Sequence, residues 1–419
     1  MFDIYSNESA GSGYSIIKYY LILFLLWPFL AFVTAVTNFH QKEAKKVIYI
    51  FLIYLGLFFV ITPGMDSWTQ ALRFRETAQL PFTDFFKIVG GIYAADTSVD
   101  IVQPLLNFIV SRFTDEHSFL YAVYAAFFGF FYLKSIDLLY KHYRINSNPN
   151  GLLHLLFLAA LIPVTSINGF RMWTAAWIFF YGAYHVITKK DPRFFIITFG
   201  ASLVHFSFLT ANAVLVIYYF MGNRNIIYII VLILSFILPQ LLTPYFQKIS
   251  ILLGGGFQSR FDMYADEDVL ILRAELNKQA AWFMTVGKQL VLYYVILAIT
   301  IVKLRYKNLM NDRAESNLFS FLLLFLAFVN FGKSIASLGS RFEVIFFMFA
   351  VSYLIFFFSK INHYKLNFWT LTSIFPLLLY AAIVFRQGSD SINAWIFSPG
   401  CGLPFFYNEL SLTEVLFPH

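Results

Sequence analysis

The chain has 419 residues, of which 59% are hydrophobic and 13% charged, and it carries 53 Phe, 26 Tyr and 7 Trp. Soluble globular proteins carry about 25% charged residues, so this composition excludes a soluble enzyme, a nucleic-acid-binding protein and a disordered scaffold. The net charge of +7 instead fits the basic cytoplasmic loops of a polytopic membrane protein. The single cysteine, Cys401, excludes an intrachain disulfide and a Cys-rich metal site.

Long apolar segments recur along the chain. A membrane-spanning helix needs about 20 mostly apolar residues. That length predicts spans at 16–37, 47–63, 118–140, 151–167, 171–188, 226–246, 284–304, 317–335, 342–358 and 366–386. If the stretch 194–220 forms a hairpin and is counted as two further spans, we expect an all-α transmembrane bundle of about twelve spans. The whole chain, 1–419, then forms a single integral membrane domain.

The connections between these segments are unevenly charged. Short basic connections lie at 40–46, 141–144, 189–193, 222–225, 303–313 and 360–365. Because Lys and Arg favour cytoplasmic loops, we place these connections together in the cytoplasm. The acidic connections and both termini are then expected on the outer side.

The apolar stretch 194–220 is too long for one span and short for two. It is expected to form a hairpin, because Arg193 and Arg224 must lie on the same side of the membrane. Arms of about 13 residues reach about 20 Å, less than a hydrocarbon core of about 30 Å. The turn at 205–207 would then lie inside the outer membrane region, where protein must bury it or it must line a wet cavity. A single tilted helix is the alternative, but it would move the acidic stretch 247–283 into the cytoplasm.

Two external connections are long enough to have structure of their own. The first, 64–117, contains amphipathic segments and an apolar run at 101–110 that is too short to span and is expected in the membrane interface. The second, 247–283, begins with a Gly-rich stretch and continues with acidic and polar residues. We predict that both are periplasmic loops.

Charged residues near the outer ends of the spans are candidates for function, because burying a charge in a bilayer is costly. Guanidinium groups bind phosphate through paired, charge-assisted hydrogen bonds. A histidine can take a proton from a sugar hydroxyl as that hydroxyl attacks. Together these groups suit metal-free glycosyl transfer from a polyprenyl diphosphate. The candidates are Asp66, Arg73, Arg75, Glu76, Arg171, His205, Arg260, Lys333 and Arg341.

Structural roles are the alternative for each of these residues. Arg171 and Arg341 could extend toward lipid headgroups, and His205 could hydrogen-bond a neighbouring helix. Asp66 could cap the helix that follows it. The acidic run 266–268 has the form of a D-x-D metal site, but such runs in external loops are mostly solvated. We therefore predict neither a metal nor a cofactor.

The order of the landmarks resembles the EpsG/Wzy-type family of O-antigen and exopolysaccharide polymerases, membrane glycosyltransferases of the GT-C kind. An Asp follows an early span (Asp66), an Arg opens a central span (Arg171) and a His lies in the next apolar segment (His205). The pair Arg341–Phe342 opens a late span. Arg171 and Gly182 also match an R-x10-G spacing. The resemblance covers roughly 47–360.

Two positions depart from the family pattern. Trp68 replaces the Tyr expected shortly after Asp66, and Ser352 replaces the glycine expected ten residues beyond Arg341. The first departure leaves open the role of the first external loop.

The resemblance implies a multi-pass protein of the bacterial inner membrane that joins undecaprenyl-diphosphate-linked repeat units at the periplasmic face. Its partners would be those units, membrane lipids and a chain-length regulator protein. Arg171, His205 and Arg341 would be catalytic. The substrate-binding residues would be Asp66, Arg73, Arg75, Arg260 and Lys333.

Other activities remain open from the sequence. An O-antigen ligase would use similar basic and His residues. A flippase for lipid-linked oligosaccharides would be expected to show basic residues deep within several spans and related halves, and neither is seen. An acyltransferase would need a cytoplasmic entry for its donor, whereas His205 is expected on the outer side.

Overall fold

The computed structural model describes residues 10–84, 100–143, 145, 148–238, 243–253, 258, 282–306, 308, 312–333, 335, 338–361, 368–407 and 410–417. These residues form α-helices and short 3-10 helices, with two isolated β-bridges and no extended strand among them. The first helices are α1 (Ala10–Leu26), α2 (Pro28–Thr37), α3 (Lys42–Leu57), α4 (Asp66–Ala78), α5 (Val102–Ser111), α6 (His117–His142), α7 (Pro149–Leu161), α8 (Phe170–Lys189) and α9 (Phe195–Val204). They are followed by α10 (Phe208–Met221), α11 (Asn225–Ile237), α12 (Thr243–Leu253), α13 (Trp282–Arg305), α14 (Arg313–Gly332), α15 (Leu338–Lys360), α16 (Phe368–Gly388), α17 (Leu403–Phe406) and α18 (Leu412–Leu416).

The all-α prediction is confirmed, whereas the number of spans is not. Within the described part of the chain, four helical stretches are long and apolar enough to cross a membrane: His117–His142, Pro149–Lys189, Arg313–Gly332 and Leu338–Lys360. Other apolar helices, such as α5 and α11, have only 10 and 13 residues. The chain therefore has the helices of a membrane protein, and about twelve spans is not confirmed.

Prolines shorten several of the predicted spans. Proline removes a backbone donor and disfavours helix in the residue before it. Pro28 follows a break at Trp27, which has φ −157° and ψ 92°. Helix α7 ends at Leu161, two residues before Pro163. Helix α11 likewise ends at Ile237, ahead of Pro239. The segments 16–37, 151–167 and 226–246 are therefore not single unbroken helices.

The break at Trp27 reverses the chain. Tyr20 is buried in one cluster with Ala44 and Val47, near the start of α3. Phe24 contacts Tyr54, with ring centroids 5.5 Å apart, near the end of α3. Helix α1 therefore runs in the same direction as α3, and its start lies at the end of the bundle where α3 begins. The sequence predicts the amino terminus on the outer side, opposite the basic connections. The start of α1 lies instead at the end where α3 begins, so this prediction is wrong.

The basic connections gather at one end of the bundle, here called the basic end. Lys45 and Lys141 both form ion pairs with Asp137, at 2.6 and 2.7 Å. The Asn223 amide, in the connection at 222–225, donates to Asn317 at 2.9 Å. Asn317 in turn donates to the carbonyl of Ile187 at 3.0 Å. The opposite end, here called the distal end, contains the start of α8 and the start of α15.

The hairpin prediction for 194–220 is confirmed. The Asn212 amide in α10 donates to the carbonyl of Thr198 in α9 at 2.8 Å. The rings of Phe195 and Tyr219 lie 5.3 Å apart. A continuous helix would separate residues 14 positions apart by about 21 Å, so the single tilted helix is wrong. The hairpin packs closely on α8, where a Cβ added at Gly182 would lie 2.7 Å from Thr198 Cγ2.

Both large predicted loops contain helix in their described parts. Helices α4 and α5 lie within 64–117, and residues 85–99 of that loop are outside the described residues. Helix α12 continues to Leu253, so the predicted loop 247–283 begins inside a helix. Its residues 259–281 are outside the described residues.

The carboxyl-terminal tail covers part of the distal end. Ile392 and Phe59 form an antiparallel bridge, and Asn393 and Ser411 form a second one. The Tyr54 hydroxyl, near the end of α3, donates to the carbonyl of Cys401 at 2.9 Å. The tail therefore fixes the distal end of α3, next to the start of α4.

Candidate functional site

The tip of the α9–α10 hairpin lies at the distal end and has an irregular backbone. His205 ends α9 with φ −147° and ψ 115°, an extended conformation. The segment that precedes α5 packs against this tip, because the Ile101 N–H donates to the carbonyl of Leu203 at 3.0 Å. The tip is thus covered by protein, which is one of the two surroundings predicted for it from the sequence.

Asp100 joins this tip to the start of α8. Its side chain is 2% exposed. Oδ1 accepts a hydrogen bond from the Phe206 N–H at 2.8 Å and lies 3.3 Å from Nδ1 of His205. Oδ2 accepts from Nη1 of Arg171 at 2.8 Å. A single buried carboxylate therefore holds together Arg171 and His205, two of the residues predicted to be catalytic.

The surroundings of Asp100 favour its ionised form. Burial acts to raise the pKa of the Asp100 carboxyl, but the hydrogen bond from His205, the charges of His205 and Arg171, and the Phe206 N–H together lower this pKa below its usual value. A buried carboxylate with such partners stays charged at neutral pH. Arg171 is 27% exposed in its side chain, so its guanidinium is accessible while ion-paired.

Aromatic packing fixes the start of α8. The 3-10 turn Val164–Gly169 leads into Phe170, whose ring stacks on Tyr124 with centroids 3.9 Å apart. The Tyr124 hydroxyl donates to the side-chain oxygen of Asn107 in α5. Arg171 therefore projects from a rigid junction of α5, α6 and α8.

Arg341 lies on the first turn of α15, close to the hairpin tip. Phe342, the next residue, contacts Phe208 at a centroid distance of 5.3 Å, and the Arg341 charge acts on the His205 imidazole. Among the described residues Arg341 makes no ion pair and no side-chain hydrogen bond. Arg341 is one of the residues that line a cavity of about 380 Å³.

This cavity has polar walls. The residues that line it include the acidic Asp66 and Glu343, the amide residue Asn168 and the aromatic residue Trp173. Lys333 forms an ion pair with Glu343 at 3.2 Å. Three predicted site residues, Asp66, Lys333 and Arg341, are therefore at or beside one cavity.

The comparisons with known proteins fit this arrangement. The sequence model of the EpsG family matches residues 81–397. The chain belongs to the EpsG family. EpsG proteins are Wzy-type, polymerase-like membrane proteins. Comparisons with curated proteins and with solved structures found no match.

Asp66 of this EpsG chain does not cap a helix. The N-cap of α4 is Met65, whose side chain makes no capping hydrogen bond, and Asp66 is the first residue of the helix. The capping alternative for Asp66 is therefore wrong, and Asp66 is one of the residues that line the cavity. A carboxylate in the first turn of a helix is also favoured by the helix dipole.

The remaining predicted residues are not part of this arrangement. Arg75 lines a second cavity, of about 510 Å³, together with Glu116 and His117. Arg73 lines neither of the two cavities, although it is in the same helix. Arg260 lies outside the described residues. The acidic run 266–268 also lies outside them, and no group of three metal-ligating side chains is found in the part that the structure describes.

Sequence reasoning on this EpsG chain missed Asp100. The residue precedes the apolar run at 101–110, for which length and composition predict only an interfacial segment. A single acid at the edge of an apolar run was the available signal. Its partners Arg171 and His205 lie 71 and 105 residues further along the chain, so its role is visible only once the segments are placed together.

Proposed function

We propose that this EpsG protein is a polysaccharide polymerase that joins polyprenyl-diphosphate-linked repeat units by glycosyl transfer. One observation carries the proposal: Arg171 and His205 share a buried carboxylate, and His205 is also within the influence of the charge of Arg341, which lines a polar cavity. Arginines and an imidazole in this arrangement are the groups that a metal-free transfer from a diphosphate needs.

The donor diphosphate binds at the two arginines. Arg341 lacks an ion-pair partner among the described residues, while Asp100 balances the charge of Arg171. Guanidinium groups donate paired hydrogen bonds to phosphate oxygens and do not lose their proton at physiological pH.

The acceptor sugar binds in the cavity. Its volume of about 380 Å³ lies in the range of about 300–1,000 Å³ that is usual for small-molecule sites. Asp66 and Glu343, which line the cavity, can accept hydrogen bonds from sugar hydroxyls. Trp173 offers an apolar surface for one face of a sugar ring.

His205 does not line the cavity, so the acceptor sugar must extend from the cavity past Arg341 to reach it. In the chemical step, an acceptor hydroxyl gives its proton to Nε2 of His205 as its oxygen attacks the anomeric carbon of the donor. The new bond joins that carbon to the acceptor oxygen, and the bond from the carbon to the diphosphate oxygen breaks. The diphosphate leaves with its lipid and carries the electron pair. Arg171 and Arg341 stabilise the charge that develops on it.

The orientation also supports a periplasmic reaction in the bacterial inner membrane. The site lies at the distal end, opposite the connections that carry Lys45 and Lys141. Basic connections face the cytoplasm in most membrane proteins. Undecaprenyl-diphosphate-linked units would therefore meet the site on the outer side.

The experiment is complementation of a deletion strain, with surface glycan separated on gels. The variants are Arg341→Ala, His205→Gln, Arg171→Ala and Arg171→Lys. The lysine variant keeps the charge beside buried Asp100 but loses the planar fork. We expect each variant to give single repeat units without long chains, as the deletion does.

Arg193→Ala is the matched control, because Arg193 is exposed and pairs with Asp191 in one of the basic connections. It should give a normal ladder of chain lengths. Immunoblots show whether each variant is present in the membrane. A normal ladder for Arg341→Ala, or for both Arg171 variants, would refute the proposal. A deletion strain with bare core would indicate a ligase.

A further inference from the structure

Asp100 is placed to control the chemistry of His205 without touching a substrate. The carboxylate is 2% exposed and has both oxygens in use, Oδ1 toward His205 and the Phe206 N–H and Oδ2 toward Arg171. We infer that Asp100 is a positioning residue that selects the tautomer of His205 and orients its ring. This inference rests on the proposed function, in which His205 is the base.

The tautomer follows from the hydrogen bond. An ionised carboxylate can only accept hydrogen bonds, so the Nδ1 that faces Asp100 carries the proton of the neutral ring. Nε2 is then the basic nitrogen. Within the described residues Nε2 of His205 makes no hydrogen bond, and the side chain is 10% exposed. The unprotonated nitrogen is therefore the one without a partner in the described residues, and it is the nitrogen that an acceptor hydroxyl would meet.

The charges around the ring give Asp100 a second effect. The groups that act on His205 are Asp100, Arg171 and Arg341. When His205 takes a proton, the new cation lies near two guanidinium groups that repel it. Asp100 is the anion beside it, and it compensates this repulsion. Loss of the carboxylate should therefore weaken the base as well as misorient it.

The first measurement uses the wild-type protein and does not depend on any assay of activity. Protein labelled with ¹⁵N-histidine is placed in lipid nanodiscs, and the nitrogen shifts of His205 are assigned from their loss in His205→Gln. At a pH where the ring is neutral, we expect a protonated Nδ1 and an unprotonated Nε2. A neutral ring with its proton on Nε2 would overturn the inference.

The second measurement uses variants in a polymerisation assay with lipid-linked repeat units extracted from a deletion strain. Asp100→Asn should lower the rate at least about tenfold, because an aspartate that fixes the tautomer of a catalytic histidine has large effects on rate when it is replaced by Asn. The acid limb of its pH–rate profile should shift to lower pH. Asp100→Glu should recover part of the rate. Asp115→Asn, an exposed aspartate before α6, is the control and should leave rate and profile unchanged.

These outcomes separate a positioning role from a structural one. A slower Asp100→Asn variant with an unshifted profile would overturn the inference, because lost structure lowers the amount of active protein without changing its pH dependence. If His205→Gln polymerises normally while the wild-type ring shows the expected tautomer, His205 is not the base. In that case the assignment of His205 as the base in the proposed function is wrong, whereas the inference that Asp100 orients the His205 ring is unaffected.

Discussion

Gly182 should be intolerant of even one added methyl group. An ideal Cβ at this position would lie 2.7 Å from Thr198 Cγ2 and 3.1 Å from both the Phe194 carbonyl oxygen and the Thr198 nitrogen. The last two are backbone atoms and cannot rotate away. Gly182→Ala should therefore push the α9–α10 hairpin, which carries His205, away from α8, which carries Arg171.

The magnitude is best isolated by comparison with Gly200→Ala. Gly200 is in α9, and a Cβ there would meet nothing within 4 Å. Both substitutions gain about 1 kcal/mol in helix propensity, whereas only Gly182→Ala suffers overpacking, which costs about 1–3 kcal/mol. The alanine at 182 should therefore leave the protein about 1–3 kcal/mol less stable than the alanine at 200.

Thermal unfolding of detergent-purified protein, together with the glycan ladder in complemented cells, provides the assay. Gly182→Ala should have the lower unfolding midpoint and shorter glycan chains, while Gly200→Ala should match or exceed the wild type in stability. Adding Thr198→Ser to Gly182→Ala removes the Cγ2 contact and should recover part of the loss. Equal midpoints for the two alanine variants would show that the packing of α8 on the hairpin does not constrain the site.

Two further predictions concern buried charges. The pKa of Asp100 is lower in the folded chain than its usual value of about 4. The ionised carboxylate therefore stabilises the folded chain above about pH 4, and this stabilisation is lost as the pH falls through the folded-state pKa. The difference in unfolding midpoint between wild type and Asp100→Asn should thus shrink below about pH 4, and a difference constant from pH 7 to 3 would contradict this. Glu315 is fully buried and accepts from Lys303 at 3.0 Å and from the Tyr353 hydroxyl at 2.6 Å. Glu315→Ala should lower the free energy of unfolding by about 3–5 kcal/mol, because it leaves Lys303 without its partner. Adding Lys303→Met should recover much of this stability in the same unfolding measurement. If the double variant recovers none of it, the unpaired lysine is not the cause of the loss.

The sequence predicted those helices whose apolar length is uninterrupted. The segments 118–140, 171–188, 317–335 and 342–358 correspond to α6, α8, α14 and α15, because each is an unbroken apolar run of about the required length. The errors at 16–37 and 151–167 fall at Pro28 and Pro163, whose effect on the backbone outweighs hydropathy. Reading those prolines as breaks would have corrected both segments.

The site was only partly predictable, for a different reason. Charge bias was enough to predict the hairpin, and with it the place of His205 at the tip. Arg171 and Arg341 were recognisable as charges at helix starts. Asp100 was not, because its effect depends on a contact with His205 across 105 residues. No local pattern encodes such a contact.

The hydrogen bond from the Phe206 N–H to Asp100 also constrains how the chain can be assembled. An unsatisfied N–H group in hydrocarbon costs several kcal/mol, so the tip of the α9–α10 hairpin should be less stable in lipid without Asp100. Asp100 is synthesised before the hairpin and is already available to accept when the tip arrives. A circular permutant that made the hairpin first would insert it with its tip uncovered, and biogenesis should stall there.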